Sequence, residues 1–232
     1  MMIGENKKNV FFIVPERNEG TVIRATLEPL VREGYSVVVV DDGSTDGSWE
    51  KIKALPVYAL RHRVNLGQGA ALQTGMTFAL SKGAQVIVHF DADGQHRLKD
   101  VEGLLKPVLA GEADVALGSR FMRREDAKAV PLSKRILLRM AIVVNGVMTG
   151  LWLTDAHNGL RVLNRRAAEG IHLRENGFAH ATEIIDQICR LKLRYVERPM
   201  RVHYSKYSRA KGQSMWNALN IVIDLLLRRI LK

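Results

Sequence analysis

The sequence has one cysteine, Cys189, in 232 residues. A single cysteine excludes a disulfide within the chain, and it favours a reducing compartment. We expect this thiol to be buried on a helix, because free cysteine packs as a small apolar group. Residues 1–9 carry charges but no apolar core, so they predict neither a signal peptide nor an N-terminal membrane anchor.

Acidic and aromatic residues are also scarce. The chain has 24 Asp and Glu against 35 Lys and Arg, a formal net charge of +11, and 6% of its residues are aromatic. The positive charge favours an anionic partner: nucleic acid, an acidic membrane surface or a phosphorylated substrate. We expect no nucleic-acid partner, because the sequence has no recognisable nucleic-acid-binding module and no basic stripe interleaved with aromatic residues.

Two short apolar, β-branched runs end in paired carboxylates. The first run ends at Asp41 and Asp42, and the second at Asp91 and Asp93. Such runs predict buried strands, and the carboxyl ends of parallel strands form the ligand-binding edge of an open α/β sheet. Paired carboxylates suit Mg²⁺ or Mn²⁺, which keep positions open for diphosphate oxygens. An ordinary polar turn remains the alternative for either pair taken alone.

Strand and helix patterns alternate through the first half of the chain. The strands are predicted at 10–14, 37–40, 57–61, 86–90 and 113–117, each separated from the next by a helical pattern or a short turn. This alternation with short connections predicts an α/β domain with a mostly parallel sheet flanked by helices.

The second half is less regular. It predicts a charged loop at 123–128, an apolar core or interfacial helix at 136–153, a helix at 181–191 and an edge strand at 195–204. An internal arginine and two glycines argue against 136–153 crossing a bilayer.

Six short motifs occur in a characteristic order. They are Pro15 with Asn18 and Glu19; residues 41–47; Asn65 with Gly67 and Gly69; residues 91–96; residues 118–120; and Asp155 with residues 158–161. With this ordered set the chain resembles the family 2 glycosyltransferases of the GT-A fold, and among them the dolichyl- and polyprenyl-phosphate sugar transferases. The resemblance implies a GT-A domain with a Rossmann-like sheet, which we place at 1–213. The residue pattern predicts a C-terminal amphipathic helix at 214–232.

The resemblance also implies roles for particular residues. Those implied to bind the nucleotide sugar are Pro15, Glu19, Asp41, Asp42, Asp91 and Lys211. Those implied to hold Mg²⁺ or Mn²⁺ are Asp91, Asp93 and Gln95. Asp93 and Arg120 are implied to be catalytic, with the guanidinium of Arg120 facing the diphosphate or an acceptor phosphate. The chain departs from the family pattern at Glu16, Arg17 and Arg97, which leaves the base and the sugar undetermined.

Two classes of acceptor stay open at this point. A polyprenyl phosphate is already ionised at neutral pH and needs no strong general base. A saccharide hydroxyl needs a carboxylate to take its proton, and Glu183 is the candidate, with Asp186 second. A catalytically silent nucleotide-binding protein on the same fold is the third interpretation.

The last eighteen residues, 215–232, place a broad apolar face around a narrow polar stripe. This pattern predicts a helix in the headgroup region of an anionic leaflet, with packing on the domain or in a homodimer as the alternative. We therefore expect a cytoplasmic protein on the cytoplasmic face of the membrane, whose partners are a nucleoside diphosphate sugar, a lipid phosphate acceptor and the anionic membrane surface.

Overall fold

The computed structural model describes residues 7–130, 132–156, 158–177 and 179–203. Lys211 and the C-terminal helix expected from the sequence lie outside these ranges, so both remain predictions. Within the described ranges, no helix combines the length and the hydropathy needed to cross a bilayer.

The described ranges contain seven strands and eight α-helices, after a 3₁₀ turn at Lys7–Asn9. The strands are β1 Val10–Glu16, β2 Ser36–Asp41, β3 Tyr58–Arg61, β4 Val86–His89, β5 Val115–Ser119, β6 Arg161–Asn164 and β7 Tyr195–Pro199. The helices are α1 Ile23–Arg32, α2 Ser48–Lys53, α3 Gln68–Ser81, α4 Leu98–Leu109, α5 Arg124–Ala129, α6 Leu132–Thr149, α7 Arg165–Gly170 and α8 His180–Arg190.

The strands form one sheet in the order β3-β2-β1-β4-β6-β5-β7. Among these seven described strands, only β6 runs antiparallel to its neighbours β4 and β5, and the other pairings are parallel. The carboxyl ends of β1, β2, β4 and β5 therefore meet at the same edge of the sheet. This edge carries both carboxylate pairs, as the sequence predicts.

Helices cover both faces of the sheet, which explains the near-continuous apolar strands. Phe11 and Ile13 of β1 face a core formed with α3, α7 and α8. Phe12 and Val14, one residue out of step, face a second core formed with α1 and α4. Successive side chains of a strand point to opposite faces, so a strand buried on both sides must be apolar at every position.

The structure corrects several expectations. The segment 123–128 is not a loop, since α5 spans most of it, with Glu125 and Asp126 in its first turn, where the helix dipole favours acidic groups. The edge strand is confirmed, but it ends at Pro199. Cys189 is exposed, because the buried face of α8 is formed by residues on the other side of the helix. Helix α7 was not expected from the sequence.

Candidate active site

Asp91 lies just beyond the end of β4, and two side chains hold its carboxylate. His96 Nε2 lies 2.8 Å from Oδ2, and Gln68 Nε2 donates a hydrogen bond of 3.1 Å to Oδ1. A Cβ at Gly159 would overlap this carboxylate, so only glycine leaves room for Asp91 in this position. The Asn-Gly pair near the start of β6 is therefore part of the site.

Asp93 lies two residues further on, directly before the backbone reverses at Gly94 with φ +72°. The backbone N–H of Gln95 donates to Asp93 Oδ1 at 2.9 Å, and its side-chain amide donates to Oδ2 at 2.5 Å. Burial, followed by the charge of Asp91, raises the pKa of Asp93, and Glu19 adds to the effect. Glu19, which is distant in the sequence, is thus brought within electrostatic reach of Asp93.

The neighbours of Asp91 favour its ionised form. Burial opposes ionisation, but the hydrogen bond and charge of His96, together with Arg161, lower the pKa of Asp91 overall. Burial by itself would lower the pKa of His96, yet its contact with Asp91 raises it. Burial lowers the pKa of Arg161 to about 10, which leaves its guanidinium charged at neutral pH. Asp91 therefore remains an anion at neutral pH.

This donor set fits a hard divalent cation. Asp91 and Asp93 offer carboxylate oxygens, the ligands that Mg²⁺ and Mn²⁺ prefer. Their mutual repulsion, visible in the raised pKa of Asp93, is relieved when a cation lies between them. Among the described residues, no group of three or more acidic, histidine or cysteine side chains could hold a metal ion alone. Such a cation would thus need further oxygens from Gln95, water or a diphosphate.

Asp41 and Asp42 are both buried, and they hold the turns of the expected nucleotide pocket. Asp41 Oδ1 accepts a hydrogen bond of 2.7 Å from the backbone N–H of Ser44. Asp42 contacts His62 Nδ1 at 2.8 Å and accepts bonds from the N–H groups of Leu66 and Gly67 at 2.8 and 2.7 Å. Pro15 is buried on β1, beside β2 in the sheet. The carboxylates therefore shape the turns that follow β2 and β3.

Arg120 forms a buried ion pair and not the surface pair that a lone arginine after a strand usually makes. Its Nε and one terminal nitrogen donate to the two oxygens of Asp155 at 2.6 and 2.7 Å, and its backbone N–H donates to the same carboxylate at 3.0 Å. Arg120 also lowers the pKa of His96 slightly, so its charge acts on the Asp91 loop. The positive charge at this edge of the sheet is thus held in place by Asp155.

Glu183 supports a loop in this structure. Its carboxylate accepts hydrogen bonds of 3.0 Å from the backbone N–H groups of Arg174 and Glu175. This loop packs against Gly67 and Gly69, where any side chain would overlap its backbone. Glu183 thereby positions the loop against the start of α3, and its role as a general base remains a prediction.

Three functional neighbours were not singled out from the sequence. All three occur inside the motifs without a role of their own: His96 in 91–96, Arg161 in 158–161, and Gln68 between Gly67 and Gly69. The segment after β7 was also unexpected, because the backbone N–H of His203 donates to the carbonyl of Gln95 at 2.9 Å. The chain therefore passes the Asp93 turn eight residues before Lys211, which the resemblance implies to bind the nucleotide sugar.

The comparisons with known proteins agree with this geometry. The family model described as glycosyl transferase family 2 matches residues 11–171. The chain belongs to this family. It is therefore a glycosyltransferase, and its sheet with flanking helices is the GT-A fold.

Similar proteins come from archaea and bacteria. An uncharacterized protein of Methanocaldococcus jannaschii is 38% identical, over 97% of this chain and 94% of its own length. The UDP-N-acetylglucosamine–dolichyl-phosphate N-acetylglucosaminyltransferase of Methanococcus voltae is 28% identical, over 96% and 97%. The undecaprenyl-phosphate mannosyltransferase of Micrococcus luteus is 31% identical, over 82% of each chain.

Among solved structures, the glucosyl-3-phosphoglycerate synthase of Mycobacterium tuberculosis in complex with Mn²⁺ and UDP-glucose superposes with a TM-score of 0.68. The two sequences are 18% identical, and the superposition covers 97% of this chain and 81% of the synthase chain. At this identity the likeness shows the fold alone.

Proposed function

We propose that this glycosyltransferase moves a sugar from a nucleoside diphosphate sugar to a polyprenyl phosphate. The observation that carries the proposal is the pair Asp91 and Asp93 with two buried guanidinium groups nearby: that of Arg161 acts on Asp91, and that of Arg120 acts on its neighbour His96. A cation and a diphosphate can be bound by the carboxylates, while the guanidinium groups offset the charge of phosphate oxygens.

The acceptor class is supported by the named relatives. One transfers N-acetylglucosamine and the other mannose, so their sugars differ, but both names specify a lipid phosphate. The bonding of Glu183 supports the same acceptor, because a carboxylate that already accepts backbone hydrogen bonds is poorly placed to take a proton from a hydroxyl.

The residues of this chain would bind and orient the reacting groups. Asp91 and Asp93, with Gln95, would hold Mg²⁺ or Mn²⁺, and this ion when bound acts as a Lewis acid on the diphosphate. His96 and Gln68 fix the orientation of Asp91 through their hydrogen bonds. Arg120 and Arg161 supply fixed positive charge where the nucleoside diphosphate leaves, without reorganisation during the reaction.

The bond changes follow from this arrangement. An oxygen of the acceptor phosphate forms a bond to the anomeric carbon, and the bond from this carbon to the diphosphate oxygen breaks. The electron pair leaves with the nucleoside diphosphate, and attack from the opposite side inverts the anomeric configuration. The attacking oxygen carries no proton, so the reaction releases none at this step.

We also propose that the protein works peripherally at the cytoplasmic face of the membrane. A lipid phosphate acceptor is held at a membrane surface by its chain, and the single cysteine favours a reducing compartment. The net charge of +11 supports attraction to anionic lipids.

The test is incorporation of labelled sugar into lipid. The protein is incubated with a panel of nucleotide sugars, with Mg²⁺ or Mn²⁺, and with either polyprenyl phosphate or the corresponding polyprenol. We expect label only in the phosphate reaction, and none with Asp91→Asn, while the surface variant Glu28→Gln keeps full activity. Labelling of a saccharide hydroxyl in place of the lipid phosphate would overturn the proposed acceptor.

A further inference from the structure

Helix α6 carries its large apolar side chains on the outside. Leu132, Ile136, Met140, Val143 and Val147 are each between 53% and 66% exposed. Their spacing of four, four, three and four residues places them on one side of the helix. We call these five residues, with Trp152, the apolar face of α6.

Among the α6 side chains that the structure describes, the opposite side combines small and polar residues with Ile142, which packs against the core. Ala141, Asn145 and Thr149 are buried there, where α6 packs against α8. The side-chain amide of Asn145 finds no hydrogen-bond partner among the residues that the structure describes. A helix at the surface of a water-soluble domain usually carries polar residues on its outward side, and α6 carries five large apolar ones there. The apolar face of α6 is therefore built to be covered by something apolar.

Trp152 extends this face beyond the end of the helix. Its indole is 63% exposed, and it packs against Gly146, where a Cβ would lie 2.7 Å from the ring. Arg139 is also exposed and lies beside the stripe on the helix surface. An exposed tryptophan and a basic residue at the margin of an apolar face are typical of helices that lie in the headgroup region of a bilayer.

The face belongs to a segment that leaves the active site and returns to it. The chain departs at Arg120 and comes back at Asp155, and these two residues form the buried ion pair. A hydrogen bond of 2.7 Å between the hydroxyls of Ser119 and Thr154 closes the same junction. The segment that carries the apolar face is thus anchored at one end to Arg120, which is proposed to meet the phosphates, and at the other to Asp155, which holds Arg120.

Positive charge accompanies this segment. Arg123, three residues after Arg120, lines a groove of about 430 Å³ between α4 and the end of β7. Its charged lining residues are basic except for Asp100: Arg97, Lys99, Lys106, Arg123 and Arg198. Such a groove complements the phosphate groups of anionic lipids, each basic residue near the surface adding to the attraction.

We propose that the apolar face of α6 rests on an anionic bilayer and brings the active site to the membrane surface. The choice of a bilayer, and not a second copy of the chain, rests on the proposed lipid phosphate acceptor and on the basic groove beside the segment. The apolar side chains would enter the boundary between headgroups and acyl chains, and the acceptor phosphate would then need to rise only a short way to reach Arg120.

The test compares full-length variants in co-sedimentation with vesicles of phosphatidylcholine and phosphatidylglycerol. Ile136→Glu with Val143→Glu places two charges on the apolar face. Leu109→Glu with Leu191→Glu makes the same change at two exposed leucines elsewhere and serves as the matched control. Far-ultraviolet circular dichroism and thermal melting confirm that both proteins are folded, which is expected because all four positions are exposed.

We expect the α6 variant to lose vesicle binding by about a hundredfold and the control variant to bind as the parent does. Equal binding by the two variants would overturn the proposal. A change from dimer to monomer in the α6 variant, measured by light scattering without vesicles, would overturn it in favour of a second copy of the chain.

A second measurement separates this inference from the proposed function. The α6 variant should transfer sugar to a short, water-soluble polyprenyl phosphate within about twofold of the parent, yet lose transfer to a long-chain acceptor in vesicles. If the parent transfers sugar to neither acceptor, the proposed function fails, while the sedimentation result still decides the docking surface. Equal loss with both acceptors would contradict docking by α6.

Discussion

Asp93 is half-buried. The hydrogen bonds described for its carboxylate all come from Gln95. Because it lies at the rim of the sheet and outside both apolar cores, Asp93→Ala should leave the fold intact. We expect turnover to fall by about a hundredfold or more, the usual cost of losing a charge that acts on the transition state.

The measurement is kcat with saturating donor and Mn²⁺, paired with a thermal melt. Glu28→Gln, which alters a surface pair with Arg24, is the control and should change neither quantity. Full activity of Asp93→Ala in excess chelator would show that the metal assignment is wrong.

Glu183 distinguishes the two acceptor classes. Glu183→Gln keeps an oxygen that can accept a backbone hydrogen bond but cannot act as a base. With a phosphate acceptor we expect activity within about tenfold of the parent, since no proton must be removed. With a hydroxyl acceptor the same change should cost about a hundredfold or more.

The KM for the donor is measured beside kcat, and Glu183→Ala tests the loop. Loss of the bonds to Arg174 and Glu175 should raise the donor KM, because their loop packs against the glycines at the start of α3. A large fall in kcat of Glu183→Gln at unchanged donor binding would indicate a hydroxyl acceptor.

Asp114 joins the strands β5, β6 and β7 at the edge of the sheet opposite the active site. Its carboxylate accepts hydrogen bonds from Arg194 before β7 at 3.0 and 3.2 Å, and from Asn164 of β6 at 2.9 Å. The bonds from Arg194 hold the pKa of Asp114 well below its usual range. A depressed carboxyl pKa stabilises the fold above the pKa of the unfolded chain, about 4, and this stabilisation is lost as the pH falls.

We therefore expect Asp114→Asn to lower the melting temperature at pH 7 by several degrees, with each kcal/mol corresponding to about 2–4 °C in a domain of this size. The difference from the parent should shrink as the pH is lowered below about 4. Melts across this pH range provide the measurement. A difference that stays constant with pH would show that the carboxylate charge does not contribute.

Some helices and strands could be predicted from local sequence patterns, and others could not. The strands that end at Asp41 and near Asp91 could be predicted, because a short β-branched run followed by a polar turn is a local signal. Helix α5 could not, since its Asp126 is buried against Arg201 at 2.8 Å, a contact between distant segments. The sequence also could not predict that the apolar side chains of α6 point outward, because periodicity alone does not say which side of a helix faces the core.

The whole molecule should respond to metal and nucleotide together. A cation shared between Asp91, Asp93 and a diphosphate is bound more tightly when both partners are present. Ligand at about a hundred times its Kd stabilises the folded state by about 2.7 kcal/mol, which corresponds to about 5–10 °C. We expect Mn²⁺ with a nucleoside diphosphate to raise the melting temperature by this amount, and either ligand alone to raise it less.

Thermal-shift measurements with a set of nucleoside diphosphates test this expectation and identify the preferred base. Asp91→Asn is the control, and its melting temperature should not depend on Mn²⁺. Equal shifts with Mn²⁺ and with chelator would contradict a shared cation.

The sequence by itself determined the α/β class, the order of the acidic turns and the resemblance to family 2 glycosyltransferases. These properties depend on residues close together in the chain, whose periodicity and spacing can be counted. Only the tertiary structure decided that Arg120 pairs with Asp155, 35 positions away, and that Glu183 holds a loop. Such pairings depend on which distant surfaces meet when both faces of the sheet are covered, and no local pattern records that choice.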